Sequence, residues 1–117
     1  MPSEQLMRDL YWAAGFIEGE GCFHLVAGTQ AGIMVSQKTI GPLERLQKIF
    51  HCGTIYRQPK GQLQWRVYSR RAIAIMMTLY SLMSKRRQQK IEEILTIWKC
   101  HKYKYRAIQW DNSKRIL

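Results

Sequence analysis

The feature that most constrains the fold is an uncharged run from Leu10 to Ile17, which ends in two glutamates separated by a glycine. A helix built from this run has apolar side chains all round, since Leu10, Ala13 and Ile17 line one face and Tyr11 and Ala14 line another. Such a helix must be covered on every side, either within a large core or between two protein bodies. In a chain of 117 residues, the second arrangement is the more economical one.

The composition predicts a single domain with a polyanionic partner. A chain of 117 residues suits one domain, with a core at about 4–101 and a basic tail at 102–117. Nineteen Lys and Arg against eight Asp and Glu give a net charge of +11, which attracts polyanions. Nucleic acid is the expected partner, and an anionic membrane surface is the alternative.

The N-terminal region gives no sign of export or membrane insertion. The apolar run is too short to span a bilayer, and the basic-then-apolar order of a secretory signal is missing. We therefore expect a soluble, intracellular protein without a membrane partner, and the sequence leaves an organelle and a microbial or phage cytoplasm open.

The cysteines predict neither a disulfide scaffold nor a zinc site. Cys22, Cys52 and Cys100 are odd in number and form no Cys-x-x-Cys. Each lies close to a histidine in the sequence, but the spacing differs from that of known zinc ligand sets. No serine, histidine and aspartate set suited to acyl transfer is found either.

Two hairpins are expected in the first two thirds of the chain. The first consists of strands at 22–27 and 33–38 joined by the turn GTQAG. The second consists of TIYRQ and QLQWRVY, which flank PKG and alternate in chemistry.

Helices are expected before, between and after these hairpins. Ser3 is a suitable N-cap for the first helix, and Gly19 in the left-handed conformation would end it. The second helix starts at Pro42 and is stopped by Gly53.

Two further helices complete the chain, and their N-caps are expected at Ser69 and Ser84. The tail from Lys102 to Leu117 is left unassigned. The inward side chains are predicted to be Ile73, Met76, Met77 and Tyr80 in the third helix, and Ile91, Ile94, Leu95 and Trp98 in the fourth.

These elements define an α+β fold of order α-β-β-α-β-β-α-α, with one four-stranded antiparallel sheet and helices on one face. Because side chains alternate along a strand, the other face stays open. The inward residues of the second hairpin are predicted to be Ile55, Leu63, Trp65 and Val67. The open face is predicted to carry Tyr56, Gln58, Gln62, Gln64, Arg66 and Tyr68, together with Cys22, His24, Val26, Met34 and Ser36.

The open face has the chemistry of a DNA-reading surface. Glutamine and arginine side chains make bidentate hydrogen bonds to adenine and guanine edges, and a two-stranded ribbon fits the major groove. The alternative is that the face is polar only because water covers it. The charge favours nucleic acid, because no acidic residue occurs between Glu44 and Glu92.

The segment AAGFIEGEG, Ala13 to Gly21, resembles the signature motif of the LAGLIDADG homing endonucleases. Ala13 stands in place of the usual leucine, and Glu18 and Glu20 stand in place of aspartates. The flanking Trp12 and Cys22-Phe23, the strand end VSQKT and the basic segment SKRRQQK are also similar to the family pattern, and the resemblance covers roughly residues 6–100. The family shares the element order derived above.

The resemblance implies a homodimer, because family members with one motif pair their motif helices. The composition of the first helix is consistent with such a dimer, since its small residues let two helix backbones approach closely. The interface residues expected on this basis are Tyr11, Ala14, Gly15 and Glu18.

The resemblance also implies a metal-dependent nuclease site. It places the metal-binding acid at Glu20, a carbonyl ligand at Gly19, a water-orienting amide at Gln37 and a basic group near the scissile phosphate at Lys85. Mg²⁺ or Mn²⁺ is the expected cofactor, and Ca²⁺ could occupy the site without supporting cleavage. Arg86 and Arg87 compete with Lys85 for the basic role.

Two further points bear on this site, one a departure from the family pattern and the other the position of Glu18. The place of a family arginine is taken by Gly41, so either Arg45 or Arg86 compensates, or the site functions with fewer cations. Glu18 lies about 200° round the helix from Glu20 and should not share its site, so a surface or interface role is expected.

Three functions are compatible with these features. The first is an intron-homing DNA endonuclease that makes a double-strand break in a long, partly palindromic site. The open face would read the sequence, phosphate contacts would supply affinity, and Lys60 and Arg86 are among the expected DNA-binding residues. The second is a maturase of the same fold that binds intron RNA through the basic last helix and tail. The third is a DNA-binding relative without nuclease activity, against which the set of Glu20, Gln37 and Lys85 argues.

Overall fold

The computed structural model describes residues 3–114, with side chains described for 3–101. Within residues 3–114 the chain forms four α-helices and four strands in the order expected from the sequence. The elements are α1 (Glu4–Glu20), β1 (Gly21–Val26), β2 (Gln30–Gln37), α2 (Gly41–Phe50), β3 (Thr54–Arg57), β4 (Leu63–Tyr68), α3 (Ser69–Leu79) and α4 (Lys85–Lys114), with a 3₁₀ turn at Tyr80–Leu82.

The four strands make one antiparallel sheet in the order β1-β2-β4-β3. The two hairpins therefore meet along β2 and β4, where Val35 pairs with Trp65 and Met34 pairs with Arg66. This places the two central strands side by side, and the predicted α+β architecture is confirmed.

One face of the sheet is covered by the helices. The predicted inward residues Trp65, Val67 and Leu63 are buried there, as are Ile33 and Val35 of β2. The core contributed by the helices includes Ala13, Ile17, Leu43, Leu46, Ile73, Met76, Ile91 and Ile94. The alternation along β4 is complete, because its odd-numbered residues are buried and its even-numbered ones are half-exposed.

The strand β4 depends on a glycine in the chain segment that passes beneath it. Trp65 is fully buried, and its Nε1 donates to the backbone oxygen of Cys52 at 3.1 Å. Gly53 has a φ of +98°, and a Cβ there would lie 2.1 Å from Trp65 Nε1. The end of α2 was expected at Gly53, but it lies two residues earlier, since α2 ends at Phe50 and His51 takes the left-handed conformation.

The first hairpin differs from the expected one in its turn. The predicted turn, 28–32, is longer than the observed turn, because Gln30, Ala31 and Gly32 already pair with β1. Ala27 and Gly28 both have positive φ, which closes the turn within three residues. The strand β2 is consequently longer at its start than predicted.

Two expected helix-end residues do not act as predicted. Gly19 remains within α1, which continues to Glu20 and passes into β1 at Gly21, a residue in an extended conformation. Ser69 makes no capping hydrogen bond, and its hydroxyl accepts from Gln30 Nε2 at 2.7 Å instead. By contrast, Ser3 caps α1 as expected by accepting from the N–H of Leu6.

One predicted inward side chain lies outside. Met77 of α3 is 62% exposed, whereas Ile73 and Met76 are buried as expected. The buried face of α3 is set by Ala72, Met76 and Leu79, and Met77 lies a further 100° round the helix from Met76.

No helix within the described part of the chain has the length and apolarity needed to cross a membrane. The chain from Lys85 to Lys114 forms α4, so the start of the tail that the sequence left unassigned is helical. The prediction of a basic, RNA-binding tail concerns side chains from 102 onward, which lie outside the described residues.

Candidate functional site

The site begins at the junction of α1 and β1, where no residue lies between helix and strand. Glu20 is the last residue of α1 and is exposed, and the N–H of Gly21 donates to the carbonyl of Ile17. A Cβ at position 21 would lie 2.7 Å from that carbonyl oxygen, so only glycine fits this close approach. The junction fixes Glu20 at the edge of the sheet.

The end of α1 also carries oxygen atoms that can accept hydrogen bonds or bind a cation. Gly19 lies in the last helical turn, and the residue four places on, Phe23, already belongs to β1, so the Gly19 carbonyl lacks a helical partner. The negative end of the helix dipole lies at the same place. The carboxylate of Glu20 and this carbonyl therefore combine in a locally electronegative region.

The strand register brings Gln37 to this edge. Gly21 pairs with Val35, so the two residues that follow Val35 on β2 run back alongside the end of α1. Gln37 is the last residue of β2 and is half-buried, and it pairs with Leu63 on its other side. The predicted water-orienting residue thus lies on the element that borders Glu20.

The first turn of α4 is tied to the same edge through Glu18. The carboxylate of Glu18 accepts from the N–H of Ser84 at 2.7 Å and from its hydroxyl at 3.1 Å. Arg87 donates from Nε to the same carboxylate at 3.3 Å and from Nη2 to the Glu18 carbonyl at 2.9 Å. Lys85, which follows Ser84, begins α4 and is exposed.

The pKa of Glu18 reflects these contacts. Burial alone would raise it, but the hydrogen bonds from Ser84 and the guanidinium of Arg87 outweigh burial and hold the pKa below its usual range. Glu18 therefore accepts hydrogen bonds at the start of α4 and forms an ion pair within its own chain, while its side chain keeps 31% of its surface exposed. The interface role expected from the sequence stays a prediction.

The same contacts separate the three basic residues that compete for one role. Arg87 is only 13% exposed, pairs with Glu18 and lies over the ring of Phe23. Lys85 and Arg86 are exposed. Arg45, considered as a substitute for the missing family arginine, pairs with Asp9 and stacks on Trp12.

The predicted interface residues fall into two groups. Tyr11 is 56% exposed, and Gly15 is exposed with open space where a Cβ would lie. Ala14 is 4% exposed and belongs to the chain's own core, and Glu18 is engaged by α4 as described. The exposed line of α1 thus runs through Tyr11, Gly15 and Gly19 at four-residue spacing, ending beside Glu20.

The open face of the sheet carries the side chains predicted for it. Cys22 is exposed and His24, Val26, Met34 and Ser36 are half-exposed along β1 and β2. His24 packs directly over Gly32, where a Cβ would lie 2.7 Å from its Nε2, and its Nδ1 is buried without a hydrogen-bond partner in the described part of the chain.

The second hairpin holds the densest polar group on this face. Arg66 donates from Nε and Nη2 to the amide oxygen of Gln64, at 3.0 and 2.6 Å, and its guanidinium lies 4.6 Å from the ring centre of Tyr56. We call Tyr56, Gln64 and Arg66 the central cluster. Thr54 shares this face and pairs with Arg66; its alternation with Tyr56 could have revealed it in the sequence.

The remaining predicted contacts lie toward the ends of the second hairpin. Gln58 and Gln62 flank its turn, where the N–H of Gln58 donates to the carbonyl of Gln62, and Lys60 is exposed at the tip. Tyr68 is half-exposed at the far end of β4. Arg86 borders a groove of about 440 Å³ between β1 and α4, whose other lining residues include Cys22, Gln89 and Lys90.

A single chain does not offer a complete metal site in its described part, where no group of three or more histidine, cysteine or carboxylate ligands occurs. Glu20 is the one carboxylate of the motif left without an intrachain partner in that part, since Glu18 is occupied.

Comparison with known proteins now gives the class. The family model described as LAGLIDADG endonuclease matches residues 13–101. No curated protein sequence matches the chain. The chain therefore belongs to the LAGLIDADG endonuclease family, which places it among the site-specific DNA endonucleases of the single-motif type.

Solved structures show the same fold. The homing endonuclease I-CvuI, in complex with the I-CreI target, matches with a TM-score of 0.70 and 21% identity over 83% of this chain and 69% of its own. The group I intron-encoded homing endonuclease I-CeuI, complexed with DNA, matches with a TM-score of 0.70 and 12% identity, over 88% and 59%. The archaeal intron-encoded homing endonuclease I-Vdi141I, complexed with DNA, matches with a TM-score of 0.60 and 17% identity. The match covers 75% of this chain and 65% of that one.

Proposed function

We propose that this chain acts as a homodimer that makes a divalent-metal-dependent double-strand break in a long, partly palindromic DNA site. The observation that carries the proposal is the position of Glu20, which is exposed at the end of α1, next to the exposed line through Tyr11, Gly15 and Gly19. A second copy placed against that line would bring a second Glu20 to the same edge.

DNA is supported as the partner by the charge and by the sheet. Between Glu44 and Glu92 the sequence contains no acidic residue, and this segment supplies half of the sheet. Basic side chains release counterions from DNA phosphates, and amide side chains recognise base edges. The solved neighbours I-CvuI and I-CeuI were both obtained in complexes with DNA.

A dimer is supported by the surface of α1. Apart from its chain neighbours and the backbone of its own helix, Gly15 has no heavy atom within 4 Å of the position of a Cβ. Tyr11, one turn earlier, is more than half exposed. Small residues at four-residue spacing allow two helices to pack at short distance. Each subunit would then contribute one carboxylate and cut one strand.

The donor set fits Mg²⁺ or Mn²⁺. The Glu20 carboxylate and the Gly19 carbonyl are hard oxygen donors at the negative end of a helix, and Mg²⁺ takes few protein ligands together with water and phosphate oxygens. The same oxygens would accept Ca²⁺, whose larger radius and flexible geometry suit binding without cleavage. Such a metal ion supplies neutralisation of phosphate charge and a more acidic water.

The remaining groups would act on water and phosphate. The amide of Gln37 can hold a water molecule in line with the phosphate, because it both donates and accepts. The ammonium of Lys85 can neutralise charge on the phosphate, and Arg86 can support it from the next position. Ser84, the residue before this pair, donates two hydrogen bonds to the carboxylate of Glu18, which ties the start of α4 to the end of α1.

The test is selection of cleaved sites from a random duplex pool in Mg²⁺, in Ca²⁺ and in chelator. We expect cutting in Mg²⁺ alone and site-specific binding in both metals. Glu20→Gln should abolish cutting and leave binding, because the charge is removed while the volume is kept. Glu44→Gln is the matched control, since Glu44 is an exposed carboxylate on α2; cutting by the Glu20 variant at the rate of this control would reject the proposal.

The splicing alternative is not favoured by the comparisons. The matching family is an endonuclease family, and its solved neighbours contain DNA. The feature that suggested RNA binding was the basic tail, whose side chains from 102 onward lie outside the described residues.

A further inference from the structure

The central cluster is organised before any base approaches it. The amide oxygen of Gln64 has two lone pairs, and both are taken by Arg66, through Nε at 3.0 Å and Nη2 at 2.6 Å. The guanidinium is held from the side by the ring of Tyr56 at 4.6 Å, on the neighbouring strand. Three side chains from two paired strands therefore fix one another.

In this arrangement the central cluster offers an approaching base hydrogen-bond donors, while the amide oxygen of Gln64 is already occupied. A guanidinium has five N–H donors, and two are used, which leaves three on Arg66. The NH₂ group of Gln64 adds two more, and it makes no hydrogen bond within the part of the chain that the structure describes. Arg66 has no carboxylate partner in that part either, so its charge stays unneutralised on the open face.

The donor count bears on which base can be read. Adenine is read by an amide that accepts from N6 and donates to N7, and the locked oxygen of Gln64 cannot accept. Cytosine presents an N–H donor in the major groove, and it cannot form a hydrogen bond with a cluster that also presents donors. Guanine alone presents two adjacent acceptors, O6 and N7, which match a donor-only surface.

We infer that the central cluster of Tyr56, Gln64 and Arg66 is a guanine-selecting unit, in which Arg66 supplies the reading donors and also prevents Gln64 from reading adenine. The inference rests on the proposed function, because it assigns a base to the sheet of that same DNA-binding protein. In a homodimer, the guanine occurs once in each half of the site, at symmetric positions.

The test is a binding selection on a randomised duplex library in Ca²⁺, which separates base preference from cutting. The wild-type protein is expected to enrich guanine at one position in each half-site, by about tenfold or more over the other bases. Arg66→Met should lose that preference and gain adenine at the same or the adjacent position, since the oxygen of Gln64 is then free to accept.

The matched control is Arg57→Met. Arg57 is an exposed arginine on β3 that lies on the other phase from Tyr56, so its removal costs the same charge without touching the cluster. We expect it to weaken binding to all sequences and leave the base preference unchanged. Gln64→Leu serves as a second variant, in which guanine enrichment should fall severalfold because Arg66 loses its anchor.

The outcomes separate the two proposals. Site-specific binding with the same base preference in wild type and Arg66→Met rejects the guanine assignment and leaves the proposed function standing. Wild-type enrichment of adenine that disappears in Gln64→Leu rejects it as well. Failure of the wild-type protein to retain any DNA rejects the proposed function and the inference together, and thermal melting of each variant shows whether it is folded.

Discussion

At the scale of single residues, the two glutamates of the motif have separate environments although one glycine divides them. Glu18 points to α4, where it receives hydrogen bonds from Ser84 and Arg87. Glu20 is exposed at the end of α1 and has no hydrogen bond or ion pair in the described part of the chain. Residues two positions apart on an α-helix point in directions about 200° apart, so the side chains of Glu18 and Glu20 face different surroundings.

The cysteines allow a chemical test of whether DNA binds to the open face. Burial raises the pKa of the Cys52 thiol, against a smaller opposing effect of Arg71, whereas Cys22 and Cys100 are exposed. Because the thiolate is the reacting form, Cys52 should be alkylated most slowly near neutral pH. Target DNA should then protect Cys22, which lies on the open face, and leave Cys100 reactive.

Mass spectrometry of the alkylated peptides measures the three rates with and without DNA. If Cys22 is alkylated as fast with target DNA as without it, the DNA lies away from the open face. Scrambled duplex at high salt is the control for nonspecific coating.

At the scale of elements, the contact between Glu18 and the start of α4 joins the motif helix to the helix that begins with Lys85. Glu18→Gln keeps the volume but removes the charge that holds Arg87 and accepts from Ser84. We expect the free energy of unfolding to fall by about 1–2 kcal/mol, the usual cost of losing a cap or a charge-assisted hydrogen bond. Urea denaturation provides the measurement.

The control is Glu4→Gln at the other end of α1, because Glu4 is almost fully exposed and pairs only with Arg8. An exposed pair of this kind contributes little, so the control should lie within about 0.5 kcal/mol of wild type. If the two variants lose the same small amount, the contact between α1 and α4 is not a stabilising one.

The order of elements could be predicted from the sequence because it depends on local patterns. The alternation in QLQWRVY correctly separated Trp65 and Val67, which are buried, from Gln64 and Arg66, which are not. The role of Glu18 could not be predicted this way, since its partner Ser84 lies 66 residues further along the chain.

The two helix-end residues that were predicted wrongly, Gly19 and Ser69, have different causes. Gly19 was expected to end α1, but the N–H of Gly21 bonds to Ile17 and carries the helix one residue further. Ser69 was expected to cap α3, yet its hydroxyl is taken by Gln30 of the other hairpin. The first of these bonds is the helix's own four-residue backbone step, whereas Gln30 is a partner that only the fold supplies.

The roles of Glu20, Gln37 and Lys85 came from the family resemblance, and they stay predictions. The structure places Glu20 at the end of α1, Gln37 at the end of β2 and Lys85 at the start of α4, on elements that meet at one edge. Their chemistry in the presence of DNA and metal is a matter for the cleavage experiment described above.

At the scale of the whole molecule, assembly should depend on the exposed line of α1. Gly15→Leu introduces a side chain into open space in the single chain, and leucine favours a helix over glycine by about 1 kcal/mol. The folded subunit should therefore be as stable as wild type or more so, while two such helices can no longer approach closely. We expect the variant to be a monomer by light scattering and to lose cleavage.

Gly41→Leu is the matched control, since Gly41 is also exposed at a helical position with open space around it. This variant should keep the mass of the wild-type assembly. A Gly15→Leu protein with the wild-type mass would contradict the proposed interface, and loss of the folded state in a melting curve would contradict the open space seen at Gly15.

The direct passage from α1 to β1 at Gly21 limits how such a protein can change its target. One residue added there would reverse the alternation of β1 and turn Phe23 toward the open face and its neighbours into the core. It would also shift Glu20 relative to Gln37 and Lys85. New specificities are therefore accessible through substitutions along the strands, and variation in length is confined to the loops, so a lineage of such proteins should diversify in side chains while its junction stays constant.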